Sequence, residues 1–268
     1  MSFTGTSITF NGIPSDDFGL ILYAKIDNAT QKVTAFASPL DIQEDRPLRK
    51  YRPYCYGGGH KDVLNFTLVL GCNEERAYTR SFFDAFDRER IAGWLTGFQD
   101  YRWLTIQQDD LQHVRYYCRI TDLEAIEVGG HCVGFEAAVQ CDSAYAYMRP
   151  KTTTITVSGT NELIFHNRSS MNEPYLPKLE ITLSSGNSVS IVNASDGGRE
   201  FAFRELPTSV GKITVDNDRM IMTDANGTNL YPYWNKKTFR LQRGDNNLTI
   251  TGNGTVSILT EFPVNVGG

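Results

Sequence analysis

From residue 153 onward the chain alternates ten times between short strand-forming runs and turn residues, and that rhythm leaves few folds open. The runs are 153–157, 162–165, 179–183, 189–192, 200–203, 212–215, 220–223, 238–241, 247–251 and 255–260, each rich in β-branched or aromatic side chains. Between them stand Ser185-Gly186-Asn187, Asp216-Asn217-Asp218, Ala225-Asn226-Gly227 and Gly252-Asn253-Gly254, residues that tolerate the positive φ of tight hairpins. Regular short strands with turn chemistry and no helical periodicity point to a β-sandwich.

The preceding half has a different chemistry. Residues 1–150 hold all five cysteines and carry 15 basic against 20 acidic residues, whereas 151–268 hold none and carry 11 of each sign. Such a break in composition predicts two separately packed domains, 1–149 and 150–268, joined near Pro150. In the first, strands are expected at 7–10, 19–23, 63–70, 101–107, 114–123 and 134–140. One amphipathic helix is expected from Asn73, its cap, to just before Gly93, with Tyr78, Phe82, Ala85 and Phe86 on the apolar face. The fold class is therefore mainly β: a β-rich domain with one helix, followed by a β-sandwich.

Composition excludes several classes of function. The formal charge of -5 provides no basic surplus for neutralising phosphates, so nucleic-acid binding is disfavoured as the main role. No apolar run approaches the roughly 20 residues of a membrane span, and the start Met1-Ser2-Phe3 does not read as a signal peptide, so no membrane is implied. The cysteines are odd in number and lack CxxC spacing, which predicts reduced, core-packed thiols and a reducing compartment during folding. Seven sequons, among them Asn167 and Asn193, read as turn and strand residues.

Motifs with known chemistry fail on context. Asp17-Phe18-Gly19 lacks the catalytic loop and lysine of a kinase, and Gly57-Gly58-Gly59-His60-Lys61 is followed by Asp62 and a strand where a phosphate loop needs Ser or Thr and a helix. No nucleophile elbow, zinc-ligand spacing or EF-hand loop is present, so no catalytic residue, cofactor or metal is assigned and the chain is not read as an enzyme. Two segments stand out as contact surfaces. Between Ile42 and Lys61, the basic Arg46, Arg49, Lys50 and Arg52 interleave with Tyr51, Tyr54 and Tyr56, reading either as an arm or long hairpin that meets a partner or as an ordinary surface loop. Tyr231, Tyr233 and Trp234 are candidates for stacking on a sugar or filling a partner's pocket; the alternative is that Trp234 packs as core.

The opening Phe10-Asn11-Gly12-Ile13-Pro14-Ser15-Asp16-Asp17-Phe18-Gly19-Leu20 resembles the start of the distal tail protein (Dit) family of long-tailed, siphovirus-type phages. The order that follows is also similar: the strand at 63–70, the helix, Trp103-Leu104-Thr105-Ile106, Tyr116-Tyr117-Cys118-Arg119-Ile120, and Gly134 to Asp142. In the second half, Asn172 to Leu183, Ile213 to Asp216, and Phe239 to Gly252 resemble the family's galectin-like sandwich. The resemblance implies a virion structural protein, assembled in the host cytoplasm and located at the tail tip. Its first domain would form a homohexameric ring, a hub joining the tail tube to the adsorption apparatus. Its partners would be further copies of itself, the tail tube protein, the tape measure protein and the tip or receptor-binding proteins. DNA would pass through the ring without specific binding, and a net negative first domain suits such a lumen. The competing reading is a carbohydrate-binding module or adhesin that recognises host glycans through the sandwich.

Overall fold

The computed structural model describes residues 6–23, 40–73 and 81–265, and the chain divides into two units between Tyr147 and Met148. The first unit contains strands β1 (Ser7–Phe10), β2 (Ile13–Pro14), β3 (Leu20–Tyr23), β4 (Leu40–Asp45), β5 (Tyr54–His60), β6 (Asn65–Cys72), β7 (Arg102–Gln107), β8 (Val114–Val128), β9 (His131–Cys141) and β10 (Ala146–Met148). Seven of them follow one another in an antiparallel sheet in the order β2-β1-β7-β8-β9-β6-β3, and β10 joins it by pairing with β8. The sheet curls into a half-barrel: the Leu22 N–H on the last strand donates to the Thr6 carbonyl, just ahead of β1, at 3.1 Å.

Alternation decides which face is buried. Leu104 and Ile106, Val114, Tyr116 and Cys118, Ala137, Val139 and Cys141, and Leu68 and Leu70 point into the core. Their neighbours Trp103, Arg115, Tyr117 and Arg119 lie half-buried on the opposite face.

One α-helix, Ala85–Thr96, is present among the described residues. Asp84, rather than Asn73, caps it: the Asp87 N–H donates to Asp84 Oδ1 at 2.9 Å, and the Asp84 N–H donates to Asp87 Oδ2 at 3.3 Å. Gly93 lies inside the helix, and the buried stripe is Ile91, Trp94 and Leu95. Phe86 is exposed because it stands roughly 140° around the helix from Ile91. Tyr78 falls outside the described residues. Trp94 anchors the helix, donating its indole N–H to the Phe10 carbonyl at 3.2 Å and stacking on Phe18 at 4.5 Å. Asp17-Phe18-Gly19 is thus a structural turn, with Gly19 closing it at φ 67°.

The second unit contains β11 (Lys151–Asn167), β12 (Lys178–Leu183), β13 (Val189–Asn193), β14 (Arg199–Phe203), β15 (Lys212–Asp216), β16 (Ile221–Asp224), β17 (Gly244–Thr260) and β18 (Pro263–Val264). Expected strand pairs merge here: 153–157 with 162–165, and 247–251 with 255–260. The resulting strands, β11 and β17, pair residue for residue from Lys151↔Thr260 to Asn167↔Gly244. On its other side β17 changes partner, pairing through Leu248–Thr251 with β13 and through Gly254–Leu259 with β12. One ribbon therefore serves both layers of the sandwich, β13-β14 on one hand and β12-β15-β16 on the other.

The changeover falls at Gly252-Asn253-Gly254, which is a kink inside a strand and not the hairpin turn its composition suggests. Gly254 has φ 144°, and a Cβ there would lie 2.0 Å from the Thr182 carbonyl oxygen. Only glycine permits that approach. Asn253 fastens the crease by accepting the Gly159 N–H at 3.1 Å. Residues 238–241 form no strand beyond an isolated bridge between Tyr175 and Leu241. The core between the layers comprises Leu179, Ile181, Ile191, Phe201, Phe203, Ile213, Val215, Ile250 and Ile258 with their neighbours.

Candidate assembly surfaces

The segment singled out between Ile42 and Lys61 folds into a two-stranded hairpin, β4 paired with β5 from Leu40↔His60 to Asp45↔Tyr54. A register shift between Gln43 and Glu44 leaves Tyr56 as the extra residue of a bulge. Gly58 sits where a Cβ would lie 2.6 Å from the Asp41 carbonyl oxygen, so glycine at the middle of the triplet is what lets the two strands approach, while Gly57 and Gly59 have open space at that position. All six residues of β4 and all of β5 except His60 are exposed. His60 meets the edge of the Tyr145 ring at 4.9 Å, which roots the hairpin on the first unit.

The tip carries the basic cluster. Lys50 hydrogen-bonds the Tyr54 hydroxyl and stands 4.5 Å from that ring's centre, and Arg52 lies over Tyr51 at 5.2 Å. Leu48 is 97% exposed, Tyr51 85% and Tyr56 70%. Three further apolar side chains, Leu40, Ile42 and Leu48, join the expected arginines and tyrosines on this hairpin. A two-stranded ribbon covered on neither face is marginal in water, so its apolar and aromatic side chains suit burial against another chain. Charge sorts the same way: Arg46 to Tyr56 contain four basic and no acidic residues, leaving 11 basic against 20 acidic in the rest of residues 1–150.

A second surface escaped the sequence reading. On the outward face of the curled sheet, Arg115 stacks on Trp103 at 3.5 Å, Trp103 packs on Tyr117 at 4.7 Å, and Arg119 lies over Tyr101 at 5.3 Å. Arg119 also donates twice to Gln140 Oε1, at 2.6 and 3.0 Å. The alternation Trp103-Leu104-Thr105-Ile106 and Arg115-Tyr116-Tyr117-Cys118-Arg119 carried this signal, since every second side chain had to face away from the core.

In the second unit, Tyr231, Tyr233 and Trp234 lie in a loop fastened to β14, with Trp234 bridged to Phe203. Trp234 is only 5% exposed, belongs to the sandwich core and donates its indole N–H to the Lys237 carbonyl at 3.1 Å. The alternative reading of that residue, as core, is the one its placement supports. Tyr231 is 40% exposed, and Tyr233 is half-buried against the core. Among the described residues no group of three or more His, Cys, Asp or Glu side chains is placed to hold a metal ion, and no helix is long and apolar enough to cross a membrane.

The polar interior of the sandwich is occupied by structural amides. Asn246 Oδ1 accepts from Asn193 and from the Gln242 N–H, both at 2.8 Å, while its amide donates to the Gln242 carbonyl at 2.7 Å and the Gly244 carbonyl at 3.0 Å. Asn193 and Asn167, each part of a sequon, are buried with their amides hydrogen-bonded. Beside them Arg240 grips Asp196 in a fork of two bonds at 2.6 and 2.9 Å, and Gln242 adds a third at 2.6 Å. Burial alone would raise the Asp196 carboxyl, but these bonds together outweigh it and hold it below its ordinary value.

Two family models account for nearly all of this architecture: a phage tail protein N-terminal domain matches residues 3–143, and a phage tail C-terminal domain matches residues 145–260. The chain belongs to this family of phage tail proteins. No curated protein matches it. Among solved structures, the phage tail protein is similar to SPP1 Dit (gp 19.1), described as a paradigm of the hub adsorption apparatus in phages infecting Gram-positive bacteria. The TM-score is 0.67 at 12% identity, over 96% of this chain and 98% of the other. A chain of the phage P2 baseplate in its activated, calcium-bound conformation aligns at TM-score 0.50 and 9% identity, over 96% of this chain and 98% of that one. At these identities the likeness establishes a shared fold. The fold of the phage tail protein is thus that of a Dit hub subunit, as the sequence resemblance implied.

Proposed function

We propose that this phage tail protein is a hub subunit that associates head to tail into a closed six-membered ring at the tail tip. In this role the ring joins the tail tube and tape measure protein to the receptor-binding parts. The observation that carries the reading is the β4–β5 hairpin: an aromatic ribbon exposed along both strands, whose connecting tip gathers Arg46, Arg49, Lys50 and Arg52 while the rest of residues 1–150, β4 included, carries an acidic excess. A heterologous ring needs two different complementary patches on every subunit. The hairpin's tip supplies the positive one, and the acidic body of a neighbouring copy supplies the other. The same acidic excess, repeated around a ring, would let DNA pass without adhering. Function here is geometry and self-association, with no chemical turnover assigned to any side chain. Burial of Trp234 leaves a glycan-binding reading with Tyr231 and Tyr233 only, and no observation favours it over assembly.

Native mass spectrometry of the purified full chain across a series of ionic strengths tests the proposal. A six-fold species that dissociates as salt screens the hairpin is expected. A monomer at every protein concentration and salt would count against it.

A further inference from the structure

Of the five cysteines, two stand across from each other on neighbouring strands. In the pairing of β8 with β9, Cys118 faces Cys141, and both are fully buried. The bonds beside them define the kind of pair. The Asp142 N–H donates to the Tyr117 carbonyl at 2.9 Å, so the ladder bond belongs to the adjacent pair of residues. The Cys141 N–H points the other way, to the Leu64 carbonyl at 2.9 Å. Cys118 and Cys141 therefore occupy a non-hydrogen-bonded position, where facing Cα atoms approach to about 4.5 Å. That is at the short end of the range of about 4.4–6.8 Å that a disulfide spans. The other cysteines have no such neighbour: Cys55 faces Glu44, Cys72 faces Leu20, and Cys132 faces Glu127.

We propose that Cys118 and Cys141 are a latent cross-strand disulfide, a reversible staple between β8 and β9 that closes when a low-molecular-weight disulfide such as glutathione disulfide replaces a reducing environment. One cysteine loses its proton to water and attacks the small disulfide, releasing one thiolate and leaving a mixed disulfide on the protein. The second cysteine, deprotonated in turn, displaces the remaining small thiolate and forms the protein S–S bond. The two released thiolates take up the two protons, so two protein thiols are oxidised and one small disulfide is reduced to two thiols.

Burial, with the neighbouring thiol and Asp142 adding to it, pushes Cys118 up, and burial followed by Asp142 pushes Cys141 up to about 12. Reactive thiolate is therefore scarce in the closed sheet, and the bond forms when the end of β9 frays or before the sheet is complete. Cys141 is the last residue of β9, so the staple pins that strand at its end.

The test is thiol mapping of the full chain equilibrated in glutathione buffers from fully reduced to fully oxidised, both folded and during refolding from denaturant. Samples are acid-quenched, denatured, alkylated with N-ethylmaleimide, digested and analysed by mass spectrometry. The expected product is a peptide pair linked through Cys118 and Cys141 and abolished by dithiothreitol, with Cys72 and Cys132 alkylated throughout. Refolding exposes every thiol, so inaccessibility cannot conceal a link that the geometry permits. Full alkylation of Cys118 and Cys141 at the most oxidising ratio in both protocols, or a link mapped to any other pair, would overturn the proposal.

Discussion

Asp196 shows how a charged side chain is held against the edge of a core. Its side chain is only 5% exposed, yet Arg240 and Gln242 occupy its oxygens, so the carboxylate form is the one the fold selects. Because its pKa is lower folded than unfolded, the group stabilises the sandwich above its ordinary value of 3.8, and that contribution is lost as pH falls through the folded value. Arg240→Ala strips two bonds from a buried carboxylate and is expected to cost about 2 kcal/mol at neutral pH. Denaturant titrations at several pH values should show the gap between wild type and variant narrowing below about pH 4. A constant gap would separate the Asp196–Arg240 pair from acid sensitivity.

At the scale of elements, the long β11–β17 ribbon creased at Gly254 is what allows one strand to serve two layers. Gly254→Ala combines a φ of 144° with a carbonyl 2.0 Å from the new methyl, so destabilisation of at least about 2 kcal/mol is expected in chemical denaturation. Asn253→Ala, which removes the bond to the Gly159 N–H, should cost less, about 1 kcal/mol. Wild-type stability in Gly254→Ala would mean that the crease is not a fixed feature. This crease also marks where the sequence stops being legible. Period-two alternation located most strands to within a few residues, because burial of one face leaves that signature in any strand. A glycine pair that creases a strand has the same composition as one that turns a hairpin, so in sequence Gly252-Asn253-Gly254 reads as a turn and two long strands read as four. Phe86 misled for a related reason: without knowing that the helix starts after Asp84, its phase could not be set. On the surfaces, the basic and tyrosine-rich hairpin stood out because its composition suits neither core nor linker. The Trp103–Arg115–Tyr117 ladder did not, because aromatic residues in a strand look like core until the face is known. Trp234 could not be placed at all, since ring type says nothing of burial.

At the scale of the whole molecule, a shared architecture across 96% of the chain coexists with 12% identity to SPP1 Dit. What persists at that distance is the fold, which a subunit defined by shape needs to keep. The surface charge is free to be reassigned, and here it is split between a basic hairpin tip and an acidic body. The central claim is that this split drives assembly, and reversing the tip with Arg46→Glu, Arg49→Glu, Lys50→Glu and Arg52→Glu addresses it most directly. Multi-angle light scattering of wild type and variant at low salt, with circular dichroism confirming the same β content, is the measurement. The account predicts a closed oligomer for the wild type and a monomer for the variant; an oligomer of unchanged mass in the variant would contradict it.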